Sequence, residues 1–489
     1  MSLIILKELD RYTVNINNPI TEDDFIYQLK LNPNSEQDLN LYHSIIQELD
    51  GTSFFKHTKP INKLEDINTN YGDTNIDTDT KKCEKETYHF TFTGILIVNG
   101  VSLIIYPKHI NSIQSDIQNQ FKKFKQITEV IQKYQKRNQT LSLSEDLDDN
   151  ISNKLGLAIQ ILNYFEEYGL YEVENTVVEE NGFGAILWEK TINEKPIVLS
   201  GKSPIYLNTY TDSYQIDEFH LIRQIQLAVL NDIKYSYGDI LSILNYRTYS
   251  ENNLTLDILG DNSQLIYHLE NEMRLQFVSH KIELLTLLSL YIRNINRTDE
   301  VSSIDIFGIN QFHHIWEDVC KVVYGDDLDK TIDTLNLKYN GNKSLKLKEI
   351  VEKPIWHVAG IQDPYYSKES LELDVLSIDK INTTFNIYDA KYYLITFDSK
   401  NKKVIKAPGI GDITKQYLYE LAYTNLANSQ EPQYSFTNQF IVPKDNFQKN
   451  DGEVIATVSL PMFKKFNLSD IKIIARDCET IFTQYLNQY

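Results

Sequence analysis

The chain has 489 residues, 42% of them hydrophobic, and a formal charge of −20; that length exceeds one ordinary core and predicts two to four domains. No stretch approaches the ~18–20 uncharged apolar residues of a membrane span, and the opening MSLIILKELDRYTV has neither the long apolar segment nor the cleavage site of a secretory leader. Three scattered cysteines, Cys83, Cys320 and Cys478, exclude a disulfide framework or a cysteine-rich zinc site and fit a reducing, cytoplasmic setting.

Residues 70–86 are polar and without periodicity, and read as a loop. His89–Pro107 then alternates and runs apolar on both sides of Asn99-Gly100, which predicts a β-hairpin because both turn residues must accept positive φ. Ile113, Ile117, Phe121, Phe124, Ile127, Val130 and Ile131 recur at helical steps, and the polar stretch Arg137–Ser152 marks a boundary. Residues 153–168, 215–234 and 262–294 carry further helical patterns. In the last, Leu284, Leu285, Leu287, Leu288, Leu290 and Ile292 are dense enough for burial on most sides. Between them, Glu179–Pro196 reads as a glycine-punctuated turn followed by a short apolar run.

From about residue 305 the pattern changes. Phe312, Ile315, Trp316, Val319, Cys320 and Val323 predict an amphipathic helix. Strand-like runs follow at Leu371–Ile378, at Thr384–Tyr388 continuing into Lys391–Phe397, and at Phe440–Val442, with a helix at Ile413–Asn425. Helix, strand, strand, helix, strand is the order of a small α/β nuclease core. The expected architecture is therefore α+β and multidomain. A β-containing N-terminal module spans 1–140, a mainly helical middle 150–300, and a nuclease-like domain 301–489.

The charge of −20 opposes a DNA-binding role, since phosphate-binding surfaces are usually basic. Local potential decides, however, and the charges are segregated. Acid gathers at Glu65–Asp79 and Glu145–Asp149, base at Lys122–Arg137, Asn342–Lys353 and Lys400–Lys406, and the last two basic clusters flank the segment considered next.

Asp374 is followed, after fourteen residues, by Asp389-Ala390-Lys391. On a strand, positions i and i+2 share a face, so Asp389 and Lys391 project together, and a hairpin brings Asp374 to the same edge. Two carboxylates suit Mg²⁺, which takes hard oxygen ligands and retains waters. Such an ion polarises a phosphate and acidifies water, while a lysine holds the attacking water and offsets transition-state charge. These charges interrupt TFNIY-DAK-YYLITF, an otherwise buried run, where burial is costly without pairing or metal. Downstream, Gln416 opens a helix (KQYLYELAY) that can lie across a phosphate backbone. The adjacent pair His313-His314 reads as packing or surface, because a helical zinc pair needs i, i+4 spacing.

The DAK box, upstream Asp and downstream Gln helix resemble the PD-(D/E)xK nuclease superfamily. With Gly94–Lys108, Asn181–Asn193, Phe312–Cys320 and Pro408–Tyr419, the chain more narrowly resembles the LlaJI-type restriction endonucleases, relatives of McrC. The resemblance implies cleavage of double-stranded DNA in bacterial restriction, with Mg²⁺ (or Mn²⁺ in its place) held by Asp374 and Asp389. It implies that Glu317 assists the metal, with Asp318 the substitute if the register slips, that Lys391 serves the water, and that Gln416 supports the site. Glu372 is the weaker choice beside Asp374. Leu373 stands where the superfamily usually has Pro, and Glu420 where a tyrosine is common. No phosphate-binding loop is present, so a McrB-like AAA+ GTPase would be a separate subunit, beside a cognate DNA methyltransferase. The segment Asn99–Lys108 would then dock on that GTPase or read DNA. Two other readings stand: a non-catalytic McrC-like assembly subunit that activates a motor and grips DNA, and a repair nuclease that needs no motor.

Overall fold

The computed structural model describes residues 2–13, 21–58, 87–110, 117–137, 151–201, 203–251, 253–298, 304–445 and 451–488. The loop expected at 70–86, both acidic stretches, Cys83, Ile113 and residues 138–150 of the expected boundary lie outside them. Contacts divide the chain into two units: Met1–Asp146 with Phe307–Tyr489, and Leu147–Ile306.

The first unit contains two large sheets besides three two-stranded ones. Asn99 and Gly100 adopt φ of +48° and +76°, the geometry of a two-residue hairpin turn. They join β2 (Phe92–Val98) to β3 (Val101–Tyr106), with Val98 opposite Val101. Strand β1 (Ser2–Lys7) pairs parallel to β3, and β4 (Ile304–Asn310) lies beside β2, giving the order β1-β3-β2-β4. The β2–β4 approach is close because both strands carry glycine at the crossing. A Cβ on Gly94 would sit 2.1 Å from the Phe307 carbonyl oxygen, and one on Gly308 2.3 Å from the Thr93 carbonyl oxygen. Every residue from Val101 to Ile110 is buried, Lys108 included.

Helix α1 (Ile117–Arg137) follows, its Phe124, Ile127, Val130 and Ile131 buried as their spacing predicts. After β4 comes α2 (His313–Tyr324), whose Ile315, Trp316, Val319 and Cys320 face the core. Trp316 is fully buried and donates its indole N–H to the Ile441 carbonyl at 3.1 Å.

The second sheet has the order β5-β6-β7-β9-β8: β5 (Val375–Asp379), β6 (Thr384–Ala390), β7 (Ser435–Lys444), β8 (Val454–Val458) and β9 (Ile471–Asp477). The outer pairs β5–β6 and β8–β9 are antiparallel, while β6–β7 and β7–β9 are parallel. Parallel neighbours need a crossover, and helix α3 (Ile410–Asn428) lies in the one between β6 and β7. Helix α4 (Cys478–Asn487) follows β9 and packs with α1 and α2. The outer edge of β5 is closed by a loop, with Leu376 N–H donating to Asp326 Oδ1 at 3.0 Å and Ile378 N–H to Asp327 Oδ2 at 2.9 Å.

Two expected strands are shorter than their apolar runs. The Leu371–Ile378 run pairs only from Val375, because the Asp374 carboxylate itself takes the next ladder donor, Ala390 N–H, at 2.8 Å. The run Lys391–Phe397 leaves the sheet after Ala390 because Tyr392 turns into a buried polar network described below.

The second unit packs helices Lys154–Tyr168, Leu221–Ile243, Asn262–Leu275 and Ser279–Thr298. The single pattern at 262–294 is thus two helices. Between them Gln276 Oε1 accepts the N–H groups of Phe277 and Val278 and holds the corner. Leu284, Leu285, Leu287, Leu288 and Ile292 are buried as expected, whereas Leu290 is 37% exposed. The unit also carries a three-stranded sheet (Glu174–Glu180, Tyr210–Ile216, Ala185–Ile186) and a short helix, Trp188–Glu194, where the sequence suggests only a turn and an apolar run.

Candidate active site

Val375 pairs with Tyr388, so one step further Asp374 stands opposite Asp389. Asp389 is 6% exposed, and Lys391, on the same face, places Nζ 3.1 Å from Asp389 Oδ1. Ala390 points the other way and is buried. Lys391 Nζ also lies 3.2 Å from Asp412 Oδ1. Asp412 is fixed by its own helix, since its other oxygen accepts Gly409 N–H at the start of α3.

The electrostatics show strain of one sign. Burial, then the charge and hydrogen bond of Asp389, then the charge of Glu317, hold the Asp374 carboxyl well above its usual range, with Lys391 opposing. Burial alone would lower the Lys391 ammonium, but Asp389, Asp412 and Asp374 together carry it upward. Lys391 is therefore a fixed cation, and it does not offset the burial and neighbouring charge that hold the Asp374 carboxyl up.

Helix α3 presents a second polar line toward this edge. Positions 412, 416 and 419 share one helical face. Asp412 pairs with Lys391, and the charges of Asp389 and Asp374 reach Tyr419, whose hydroxyl is already held high by burial. Gln416 lies between them, fully buried, and neither its amide nitrogen nor its amide oxygen has a hydrogen-bond partner. An orphaned amide at this depth costs about 1–3 kcal/mol. Two hard carboxylates in like-charge contact fit a divalent cation with its waters, and the unsatisfied carboxamide lies on the helix whose Asp412 meets Lys391. Glu420 is buried and engaged elsewhere, accepting Ser469 N–H at 3.0 Å and Asn438 Nδ2 at 3.4 Å.

On α2, Asp318 and Glu317 part company. Asp318 faces α4 and α1, accepting the Tyr485 hydroxyl at 2.5 Å with Arg137 at 3.7 Å. Glu317 faces the carboxylate pair closely enough to raise Asp374. Its oxygens nevertheless group with His313 and His314, all three ligand atoms lying within 4.8 Å of one another, and among the described residues no other set of three or more potential metal ligands is this close. Burial, then His314, lowers the His313 imidazole to about 4. Glu372 is exposed and contributes its backbone carbonyl to Tyr419.

Behind Lys391 lies a buried network absent from the sequence reading. Glu8 Oε2 accepts from Lys108 N–H and from the Tyr392 hydroxyl, both at 3.2 Å, and that hydroxyl lies 3.2 Å from His109 Nδ1. Lys108 Nζ sits 4.7 Å over the Tyr392 ring. Burial raises the Glu8 carboxyl and lowers His109 to about 3. The residue after the DAK box is thus bolted to the first sheet.

The polar edge of the second sheet coincides with a recognised family pattern. Residues 92–479 match the LlaJI restriction endonuclease family model. The chain belongs to the LlaJI restriction endonuclease family. Asp374, Asp389, Lys391, Asp412, Gln416 and Glu317 all fall inside the matched span. The chain is also 28% identical to the type II restriction enzyme BsuMI component YdjA of Bacillus subtilis (strain 168), over 81% of this chain and 80% of that one. Two solved structures align weakly. One is a half-complex from a tetradecameric assembly of Thermococcus gammatolerans McrB AAA+ hexamers with bound McrC (13% identity, 99% and 98% of the two chains covered, TM-score 0.34). The other is the Thermococcus gammatolerans McrBC complex (14% identity, 65% and 86% covered, TM-score 0.24). Neither score establishes a common fold. As a LlaJI-family member the chain is a restriction-system protein. Among its described residues no helix is long and apolar enough to cross a membrane.

Three features of this edge were missed by sequence reasoning. Asp412 precedes Gln416 by one helical step of four, and His313 precedes Glu317 by the same step, so both were open to a periodicity search. The Glu8–Tyr392 pairing spans 384 residues and left no local signal.

Proposed function

We propose that this protein is a Mg²⁺-dependent endonuclease that hydrolyses phosphodiester bonds of double-stranded DNA in a cytoplasmic bacterial restriction system, and that β5, β6, β7 and α3 form a PD-(D/E)xK core. The juxtaposition of Asp374, Asp389 and Lys391 carries this reading. Asp374 and Asp389 would hold the ion, which when bound polarises the phosphate and lowers the pKa of water. Lys391, kept charged by Asp389 and Asp412, orients the attacking water and offsets the charge that grows on the phosphorane oxygens. Glu317 adds negative potential beside Asp374, and Gln416 offers its free amide to a water or a phosphate oxygen.

DNA contact falls to the basic hairpin between Lys391 and α3. Its strands, Thr396–Asp398 and Lys403–Ile405, leave Lys400, Lys402 and Lys403 exposed. The other clusters are partly consumed within the protein: Lys123 pairs with Asp445, and Lys346 and Lys348 with Asp329. Replacing Lys400, Lys402 and Lys403 by Ala should weaken duplex binding on the order of tenfold, equally across sequences. The slope of log affinity against log salt should fall by about 0.9 for each phosphate no longer neutralised. Fluorescence anisotropy over a salt series checks this, and an unchanged slope would move the DNA path elsewhere.

The chain carries no phosphate-binding loop in its sequence, and its relative is named a component of a restriction enzyme. Both support a multi-part enzyme, with a McrB-like GTPase and a cognate methyltransferase as the other parts. Cutting of circular duplex with Mg²⁺, with and without a GTPase subunit and GTP, tests the reading. Cutting that ignores GTP would favour a motor-free repair nuclease, and no cutting under either condition would favour an assembly subunit.

A further inference from the structure

We propose that His313, His314 and Glu317 form a transition-metal site, distinct from the aspartate pair and sharing its neighbouring carboxylate. The three residues occupy the first turns of α2 at positions i, i+1 and i+4. Adjacent helical residues ordinarily point about 100° apart. Here the two rings fold together, with centroids 4.0 Å apart and planes tilted by 41°. His314 Nδ1 lies 3.9 Å from Glu317 Oε2. Among the described residues neither imidazole has a hydrogen-bond partner, so the ring nitrogens are not committed to holding the fold.

The donor set decides the kind of ion. Two imidazole nitrogens and one carboxylate suit Zn²⁺, Co²⁺ or Mn²⁺, whereas Mg²⁺ prefers an all-oxygen shell with several waters. Tetrahedral donors on bonds of ~2.1 Å lie roughly 3.4 Å apart. The present atoms lie within 4.8 Å of one another, so rotamer adjustment of about an ångström, shared between the exposed and half-buried side chains, closes the site. His314 is exposed and His313 and Glu317 are half-buried, so open coordination positions face solvent.

The test uses the full-length protein stripped with chelator and titrated with Co²⁺, read by its visible absorption. A single imidazole-ligated Co²⁺ per chain is expected, displaced by Zn²⁺ but not by Mg²⁺. His314→Ala and His313→Ala should each weaken it at least tenfold, while Asp389→Asn leaves it in place. His314 is exposed, so the metal-free melting temperature of His314→Ala should match the parent and keep the comparison valid. Co²⁺ affinity unchanged in both histidine variants would overturn the proposal, as would its loss in Asp389→Asn, which would assign the ion to the aspartates. A parent that binds Co²⁺ in this way yet cuts no DNA would count against the nuclease reading and leave the site standing.

Discussion

Asp389→Ala should abolish Mg²⁺-dependent cleavage, by at least about 10²–10³-fold in rate, while the protein stays folded. Asp389 sits at the end of β6 with its carboxylate between Asp374 and Lys391, so its removal deletes one proposed ligand and the nearest partner of the proposed catalytic amine. Folding survives because β6 stays paired with β5 and β7 through the backbone, and Lys391 retains Asp412. Unchanged cutting by this variant would refute the site. Asp374→Asn makes the sharper companion. The Asp374 carboxyl is held above its ordinary value of 3.8 by burial, by Asp389 and by Glu317. A raised carboxyl stabilises the fold fully below its unfolded value, and that contribution is lost as pH climbs through the raised one. The metal-free parent should therefore lose melting temperature as pH rises above 3.8, and part of the loss should return on adding Mg²⁺. Asn mimics the protonated acid and can still accept Ala390 N–H, so Asp374→Asn should flatten this pH dependence and be inactive. Thermal melts across pH with and without Mg²⁺ read both effects.

Glu8→Ala should be among the most destabilising single changes in the chain, costing about 1–3 kcal/mol for each buried donor left without its acceptor. Glu8 is 4% exposed and accepts both Lys108 N–H and the Tyr392 hydroxyl. Its loss strips the Lys108 N–H and the Tyr392 hydroxyl of a shared acceptor. Because Tyr392 follows Lys391 directly, the damage should reach catalysis as well. Tyr392→Phe isolates that second effect: the ring and its packing against Phe312 remain, and only the hydroxyl goes. A loss of about 1–3 kcal/mol, with cleavage reduced more than stability accounts for, is the expected pattern. Equilibrium denaturation with a cleavage assay on the same preparations separates the two. Full activity in Tyr392→Phe would show that Lys391 needs no support from the first sheet.

Local features are legible where the physics is local. Asn99-Gly100 announces its hairpin because few residue pairs tolerate two positive φ values, and the structure has both. The DAK spacing puts Asp389 and Lys391 on one face because a strand alternates, and they meet at 3.1 Å. The helix through Trp316 follows from its apolar period. Strand ends are not legible, since side chains set them: Asp374 replaces a backbone partner at Ala390, and Tyr392 pulls the chain out of line. The elements β8, β9 and α4 raise no expectation from their residues, although β9 pairs along the inner sheet. His313 and His314 read as packing or surface under a two-histidine spacing rule, which does not weigh Glu317, four residues after His313, whose carboxylate groups with both imidazoles.

The split of the first unit has a consequence for biosynthesis. His109 and Tyr392, which touch in the finished protein, are 283 residues apart. At ~5–20 residues/s a ribosome needs roughly 15–60 s to bridge that gap. Meanwhile the first sheet waits with Glu8, Lys108 and His109 exposed, and residues 147–306, being contiguous, can finish first. A nascent chain halted before β9 should therefore show a protease-resistant middle between two sensitive flanks. The edge that holds Asp374, Asp389 and Lys391 is thus among the last parts to assemble.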